Sequence, residues 1–252
     1  MKWTKAIAVC VVAAVTIGAV ATALAENAMP VLNWGECVVS KAGDYGTGCK
    51  KEGGAQFKGH EDQTITKNYA KKSKSGVVRI RVPALKTLLE CASSTDTGEV
   101  TPPNKEAKIV IKFIKCKREG RPCTTAGAKK EELVSKPLKG ELGWISKVNK
   151  EVGLDLQPEA GTVLLEADCE GFNVKVEGSV IGRITPVDVF THLFTITFVT
   201  KNEKQEPESF QGGPPDTLTV RVGTSGPFPA TLEMVETQTF ASALYIETDT
   251  EA

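Results

Sequence analysis

The chain has 252 residues, and 31 Lys and Arg are balanced by 31 Asp and Glu, so its formal net charge is zero. Glycine (23) and proline (13) are plentiful, whereas aromatic residues make up only 6% of the chain. This composition favours strands and turns over helices. After residue 25 no apolar run approaches the ~20 residues of a transmembrane helix, which argues against a helical membrane protein.

The first 25 residues have the pattern of a secretory signal peptide. Lys2 and Lys5 precede an apolar segment, and Ala23-Leu-Ala25 is a small-x-small cleavage signal. This pattern predicts that residues 1–25 are removed and that the protein is secreted and extracellular. The alternative is an uncleaved leader that anchors the protein in a membrane. The apolar run reaches Ala25 and nearly has the ~20 residues that a helix needs to span a bilayer.

Residues 26–75 are rich in glycine and lysine, and they predict a short irregular N-terminal arm. Residues 71–74 (Lys-Lys-Ser-Lys) are interpreted as a turn and solvated linker, with an anion-binding patch at residues 67–74 as the alternative. No nucleic-acid partner is expected, because these lysines are not interleaved with a series of aromatic side chains.

Strand patterns begin after residue 76, and they predict a β-domain over residues 76–252. Ile109, Ile111 and Phe113 share one face of their segment, as do the apolar residues of segment 192–200. Glycines inside segment 172–184 predict a bulge or bend. The predicted strands cover residues 77–82, 108–115, 172–184, 192–200, 217–222, 230–237 and 242–247. Residues 125–134 are the one helix candidate, because a threonine can serve as its N-cap.

Many short strands separated by turns predict an all-β, antiparallel sandwich or barrel, and the pattern does not choose between the two. Six cysteines remain after Cys10 of the leader: Cys37, Cys49, Cys91, Cys116, Cys123 and Cys169. In an exported chain an even set predicts three disulfides that staple the fold. Spacing alone leaves the pairing open, but it favours 37–49 and 116–123 as local loops and 91–169 as the long-range bond. A structural zinc site is not expected, since the local spacings are wider than in Cys-x2-Cys pairs.

Few residues of the chain suggest a catalytic or ligand-binding site. The chain lacks Gly-x-Ser-x-Gly, His-Glu-x-x-His, a phosphate-binding glycine loop and an EF-hand loop. We therefore predict no catalytic, cofactor-binding or metal-binding residues. His60 is interpreted as a loop residue, His192 as a residue at a strand end, and Trp144 as core or strand-edge packing. Paired carboxylates for glycoside hydrolysis remain an alternative, because such a site needs only two acids at a suitable separation.

Several motifs follow one another in a recognisable order: Trp34-Gly-Glu-Cys-Val-Val39, Cys49, Glu90-Cys-Ala-Ser-Ser-Thr-Asp-Thr-Gly-Glu99, Cys116, Arg121-Pro-Cys-Thr-Thr-Ala-Gly127, Pro137-Leu-Lys-Gly-Glu-Leu-Gly143, Val152-Gly-Leu-Asp-Leu156, Gly178-Ser-Val-Ile181 and Gln205-Glu-Pro-Glu-Ser-Phe-Gln-Gly-Gly213. In this order they resemble a family of exported, cysteine-containing actinobacterial proteins that carries no assigned function. The resemblance covers most of the chain after the leader. It implies secretion and a repeated cysteine framework, and it supplies no catalytic or binding residues. Trp144 and the segment after it depart from it.

The charge is unevenly placed along the chain. Residues 26–150 hold 24 Lys and Arg against 14 Asp and Glu, and residues 151–252 hold 5 against 17. Both surfaces can simply be solvated; the alternatives are self-association of opposite faces or docking of the basic half on an anionic cell-wall polymer.

Together these features favour a secreted, non-catalytic module that binds a ligand or associates with the cell envelope. An extracellular hydrolase with paired carboxylates is the alternative.

Overall fold

The computed structural model describes residues 32–39, 57–58 and 64–248. The predicted signal peptide, Cys49 and His60 lie outside these residues. Cys37 is disulfide-bonded, but its predicted partner Cys49 is among the residues not described.

The described residues fold almost entirely into strands, and the one helical segment among them is a single 3₁₀ turn, Pro83–Leu85. In the first half of the chain the strands are β1 (Asn33–Glu36), β2 (Val38–Val39), β3 (Phe57–Lys58), β4 (Tyr69–Ser75), β5 (Val78–Val82), β6 (Lys86–Cys91), β7 (Ser93–Thr101), β8 (Lys105–Ile114), β9 (Lys117–Arg118) and β10 (Arg121–Pro122). They continue with β11 (Glu132–Val134), β12 (Leu138–Ser146), β13 (Glu151–Pro158), β14 (Val163–Asp168), β15 (Asn173–Glu177), β16 (Val180–Thr185), β17 (Thr191–Lys201), β18 (Lys204–Glu206), β19 (Thr219–Val222), β20 (Ser225–Pro229) and β21 (Thr231–Glu247).

The main sheet closes on itself as an eight-stranded antiparallel barrel. Each strand of the ring pairs with the next one in chain order, and the last pairs back to the first. The eight strands are β4, β7, β8, β12, β13, β16, β17 and β21. Closure leaves no open edge within this ring, which removes the sites where another chain could add a strand. The predicted all-β, disulfide-stapled fold is confirmed, and the open choice between sandwich and barrel is decided for a barrel with additional strands.

The barrel strands form where apolar residues alternate. Ile109, Ile111 and Phe113 of β8 are buried on one face, and Phe194 and Ile196 of β17 are buried in the same way. Because successive side chains of a strand point to opposite faces, this alternation sets which side of each strand enters the core. The predictions for these two strands are confirmed.

Additional strands extend the core beyond the ring. The first residues of β21 pair with β5, which continues the sheet through β6, β9 and β10. A separate four-stranded sheet has the order β14-β15-β19-β20. At the other end of β21, β1 pairs with its last residues and carries Trp34, which is fully buried with its ring centroid 5.2 Å from that of Phe194.

The predicted helix at residues 125–134 was wrong. The segment forms turns and then β11, which pairs with β8. Thr124 is bridged to Asp168 through two backbone hydrogen bonds of 2.8 and 2.9 Å, and Gly127 has φ +82°. These contacts hold the backbone away from helical geometry, and the positive φ of Gly127 is a conformation that glycine adopts readily.

Two other strand predictions had the wrong extent. Segment 172–184 is two strands in different sheets, β15 and β16, separated at Gly178, where φ is +101° and a Cβ would lie 1.8 Å from the carbonyl oxygen of Thr217. The glycine therefore marks a sharp bend, as expected, but the bend changes sheet. Segments 230–237 and 242–247 are one continuous strand, β21, which is 17 residues long.

The linker interpretation of residues 71–74 was also wrong. They lie in β4, which pairs with β21 on one side and β7 on the other. The described part of the predicted arm thus supplies β1 and β4 to the same sheet as the predicted β-domain.

The disulfides join Cys91 to Cys116 and Cys123 to Cys169. The predicted 116–123 and 91–169 pairings were therefore wrong. A turn at residues 118–121 brings the amide of Cys123 within 2.9 Å of the carbonyl oxygen of Cys116. Cys116 and Cys123 are close together in this hairpin but are not bonded to each other. Each is bonded instead to a cysteine of another segment.

Sheet pairing explains the observed bonds. Glu90 pairs with Lys117, and Thr124 pairs with Asp168, so the cysteines next to these residues lie side by side with Cα atoms 4.0 Å apart. Cys91 is the last residue of β6, and Cys169 directly follows the last residue of β14. The described residues contain no helix whose length and hydrophobicity would suffice to cross a membrane.

Candidate functional site

An open groove of about 630 Å³ lies on the outer face of β4, β7, β8 and β21. The cross-strand register places its side chains in two rows. Lys74 lies opposite Thr95, which lies opposite Lys112. The second row contains Lys72, flanked on its two sides by Thr97 and Thr239. The groove therefore presents ammonium groups between threonine hydroxyls.

The groove lysines have no carboxylate within ion-pair distance among the residues that the structure describes. Elsewhere on the surface many lysines do have one, for example Lys108 with Glu99 at 2.8 Å. Others are Lys117, Lys136, Lys150, Lys175 and Lys204. An unpaired, exposed lysine keeps its three donors available, so the groove is suited to an anion.

The inner face of the same strand carries a buried charged cluster. Lys71 alternates with the outward lysines and is 3% exposed. Its Nζ lies 2.7 Å from Glu106 Oε2, 3.5 Å from Asp96 Oδ1 and 3.9 Å from Glu236 Oε1. Gln238, which is fully buried, donates from Nε2 to Glu106 Oε1 at 3.1 Å. One cation is thus surrounded by three carboxyl groups inside the barrel.

Burial and charge oppose each other in this cluster. Burial, the largest single influence, favours the neutral form of Lys71, but Glu106, Asp96 and Glu236 together raise the pKa of Lys71 above its ordinary value. For Glu236 burial is again the largest influence, and it raises the pKa to about 8 although Lys71 opposes the shift. Glu236 therefore holds its proton at neutral pH, which reduces the excess of negative charge around one lysine.

Two glycines give this cluster its room. Gly98 of β7 lies directly opposite Lys71, and a Cβ there would be 3.1 Å from Lys71 Cε. Gly140 of β12 lies opposite Glu106, and a Cβ there would be 3.2 Å from Glu106 Cβ. The Lys71 side chain can therefore cross β7 over Gly98 and reach Glu106 on β8.

A second pair of acids lies on the outer side of β13. Burial raises the pKa of Asp155 to about 7, with further contributions from Asp216 and Glu141. Burial also raises the pKa of Asp216, although Ser179 donates to it at 2.8 Å. Asp155 Oδ1 and Asp216 Oδ2 are buried and accept no hydrogen bond from the described residues. Gln157 donates to Asp155 Oδ2 at 3.0 Å.

The other residues singled out in the sequence have structural positions. His192 is exposed near the start of β17, with its Nδ1 3.2 Å from the carbonyl oxygen of Phe240. Trp144 is partly buried and packs against the core. Across the described ranges, no group of three or more His, Cys, Asp or Glu side chains is arranged to hold a metal ion.

The sequence offered an anion-binding patch at residues 67–74 only as an alternative, and it did not indicate Lys112 of the groove or the buried cluster. The lysines of β4 were considered together, although the period of two in a strand separates Lys71 from Lys72 and Lys74. The available signal was Gly98, an isolated glycine within a strand-like segment, which indicates a close approach by a neighbour. Comparisons with protein-family models, with curated proteins and with solved structures found no match to this chain.

Proposed function

We propose that this protein is a secreted, non-catalytic binding protein that holds a phosphate-bearing polymer of the cell envelope in the outer groove. The observation that carries the proposal is a set of three lysines: Lys72, Lys74 and Lys112. They line an open groove together with threonines, and they have no carboxylate partner among the described residues. The buried charges of β4 face the other way and do not compete for the ligand.

The geometry suits an extended anion. Lys72 and Lys74 are two residues apart on one strand, and Lys112 lies two strands from Lys74. At 3.4 Å per residue and ~4.8 Å between strands, the Cα positions are about 7 and 10 Å apart, so one flexible polymer with repeated phosphates can contact all three lysines. Threonine hydroxyls donate additional hydrogen bonds to phosphate oxygens.

Secretion is the second part of the proposal. It is supported by the signal-peptide pattern of residues 1–25 and by the disulfides Cys91–Cys116 and Cys123–Cys169, which are consistent with an extracellular protein. An exported protein meets anionic envelope polymers directly. The ion pairs would be exposed, so we expect modest affinity that falls as salt is raised.

The test is co-sedimentation with bacterial cell walls that carry phosphodiester-linked polymers, and with the same walls after acid extraction of those polymers. The wild type is expected to sediment with the intact walls and to remain in solution with the extracted walls. The triple variant K72Q/K74Q/K112Q is expected to bind about tenfold more weakly, since three exposed ion pairs at about 0.5 kcal/mol each sum to about 1.5 kcal/mol.

The matched control is K129Q/K130Q/K201Q, which removes the same charge from exposed lysines outside the groove. Equal binding by the wild type and the groove variant, or equal binding to extracted walls, would contradict the proposal. Equal weakening by the two triple variants would show a general charge effect and would also contradict it.

A second candidate function rests on Asp155 and Asp216. Two neighbouring acids with raised pKa values are the arrangement that a hydrolase uses to keep one carboxyl protonated near neutral pH. This candidate predicts turnover of chromogenic glycosides or esters that is abolished by D155N and by D216N and retained by D188N. Absence of turnover by the wild type would exclude it for those substrates.

A further inference from the structure

A buried charged contact inside the barrel joins the two neighbours of strand β7. Lys71 on β4 and Glu106 on β8 meet with Nζ 2.7 Å from Oε2, and their side chains are 2% and 0% exposed. The lysine crosses over Gly98, so no side chain of β7 separates the two groups. Such a position fixes an amine beside a carboxyl carbon and excludes water from both, which are the conditions that favour reaction between held groups.

We infer that Lys71 and Glu106 condense to form a covalent amide crosslink between β4 and β8. The lysine nitrogen forms a bond to Glu106 Cδ, the bond from Cδ to one carboxyl oxygen breaks, and that oxygen leaves as water. The ammonium supplies the two protons that the leaving oxygen needs to become water. No oxidant, reductant or further reactant is required.

The neighbours supply what this step needs. Gln238 donates from Nε2 to both oxygens of Glu106, at 3.1 and 3.4 Å, and so stabilises the negative charge that develops on the carboxyl oxygen during attack. Glu236, which holds its proton at neutral pH, lies 3.9 Å from Nζ and is the group placed to give that proton to the leaving oxygen and to take one from the ammonium in return. Asp96, 3.5 Å from Nζ, orients the amine.

The products also favour the step. A buried ion pair keeps two charges away from water, and their mutual attraction repays this desolvation only in part. The amide is neutral, and the released water leaves the barrel. Because the three carboxyl groups hold Lys71 as ammonium, the amine is free to react only after proton transfer, so the reaction is a slow, single event in each folded molecule.

The test is the intact mass of the mature protein after reduction and denaturation. The folded wild type is expected to be one water lighter than its sequence, a loss of about 18 Da. Fragmentation is expected to give a branched peptide in which Lys71 is joined to Glu106. The variant K71R keeps the positive charge but lacks the amine, and it is expected to have its full sequence mass.

Glu236→Gln separates reaction from folding. It removes the acid that relays protons while preserving size, so folded E236Q is expected to form the crosslink at least tenfold more slowly. A folded wild type with its full mass would overturn the inference, whether or not K71R folds. A water loss located elsewhere, or a bond from Lys71 to Asp96, would also overturn it, as would equal crosslinking in E236Q.

Discussion

The two barrel strands that flank β21 fill the same interior by opposite means. β17 buries Phe194, Ile196 and Phe198, whereas β4 buries Lys71 and Ser73. The apolar strand gains free energy from removal of hydrocarbon from water, and each side chain contributes largely by itself. The polar strand depends on the cation, the carboxyl groups and Gln238 being present together. We call the part of the barrel around β4 the polar half and the part around β17 the apolar half. We expect the stability of the polar half to depend on the presence of each charged partner and on pH. The stability of the apolar half should depend on how well its side chains fit together.

Removal of the buried cation is expected to have the largest effect. Lys71→Met removes both the crosslink and the cation beside Glu106, whose carboxylate stays buried, which should lower the free energy of unfolding by about 3–5 kcal/mol in urea denaturation. Lys72→Met is the matched control on the outer face of the same strand and should change it by less than about 0.5 kcal/mol. Similar losses in the two variants would contradict the assignment of the inner and outer faces.

Added volume should be tolerated less well in the apolar half. A Cβ at Gly182 would lie 2.5 Å from Ile196 Cγ2 and 2.8 Å from the Phe198 ring. At Gly98 the nearest atoms, Lys71 Cε and the carbonyl oxygen of Ala107, would be 3.1 and 3.2 Å away. Gly182→Ala should therefore cost more than Gly98→Ala, within a range of about 1–3 kcal/mol for overpacking.

Gly76→Ala is the control for this pair, because a Cβ there meets nothing within 4 Å. Its thermal midpoint should stay close to that of the wild type. A Gly98→Ala protein that is less stable than Gly182→Ala would show that the polar half is packed more rigidly than the apolar half.

Glu236 should contribute to the pH dependence of stability, alongside Asp155, whose pKa burial raises to about 7, and Asp216, whose pKa burial also raises. The pKa of Glu236 rises from an ordinary 4.5 in the unfolded chain to about 8 in the fold, chiefly through burial. Between these values the native state binds one proton more than the unfolded state, so its stabilising contribution is complete below pH 4.5 and is lost as the pH rises to 8. The expected slope is about −1.4 kcal/mol per pH unit.

Urea denaturation of E236Q across this pH range tests the slope, because glutamine cannot titrate. The difference in stability between E236Q and the wild type should grow in favour of E236Q as the pH rises. Thr239→Val, on the outer face of the same strand, should retain the wild-type slope. A slope that persists unchanged in E236Q would mean that another group controls the response.

The same contrast explains how far the sequence could be interpreted. The all-β class and strands such as β8 and β17 were predictable, because their buried residues are hydrophobic and alternate with polar ones. β4 was not, because its buried positions hold lysine and serine, so its pattern indicates a solvated segment. Its partners become visible only when β7, β8 and β21 are placed beside it, and these contacts are distant in sequence.

The disulfides and the groove show the same limit. Local spacing favoured a bond within the hairpin at residues 118–121, whereas sheet pairing selected Cys91–Cys116 and Cys123–Cys169. In the groove, Lys74 and Lys112 become neighbours only through the register with Thr95. The disulfide pairing and the neighbours of each groove lysine both depend on strand order. The hydrophobic pattern of the sequence does not reveal that order.

The most direct test of the account is an equilibrium titration with soluble poly(glycerol phosphate), comparing the wild type, K71R and K72Q/K74Q/K112Q. The account assigns ligand binding to the outer lysines of β4 and β8 and fold stability to the inner one. It predicts that the outer triple variant binds about tenfold more weakly, given about 0.5 kcal/mol for each of three exposed ion pairs, and that folded K71R binds like the wild type. Unchanged binding by the outer variant, or loss of binding by folded K71R, would contradict it.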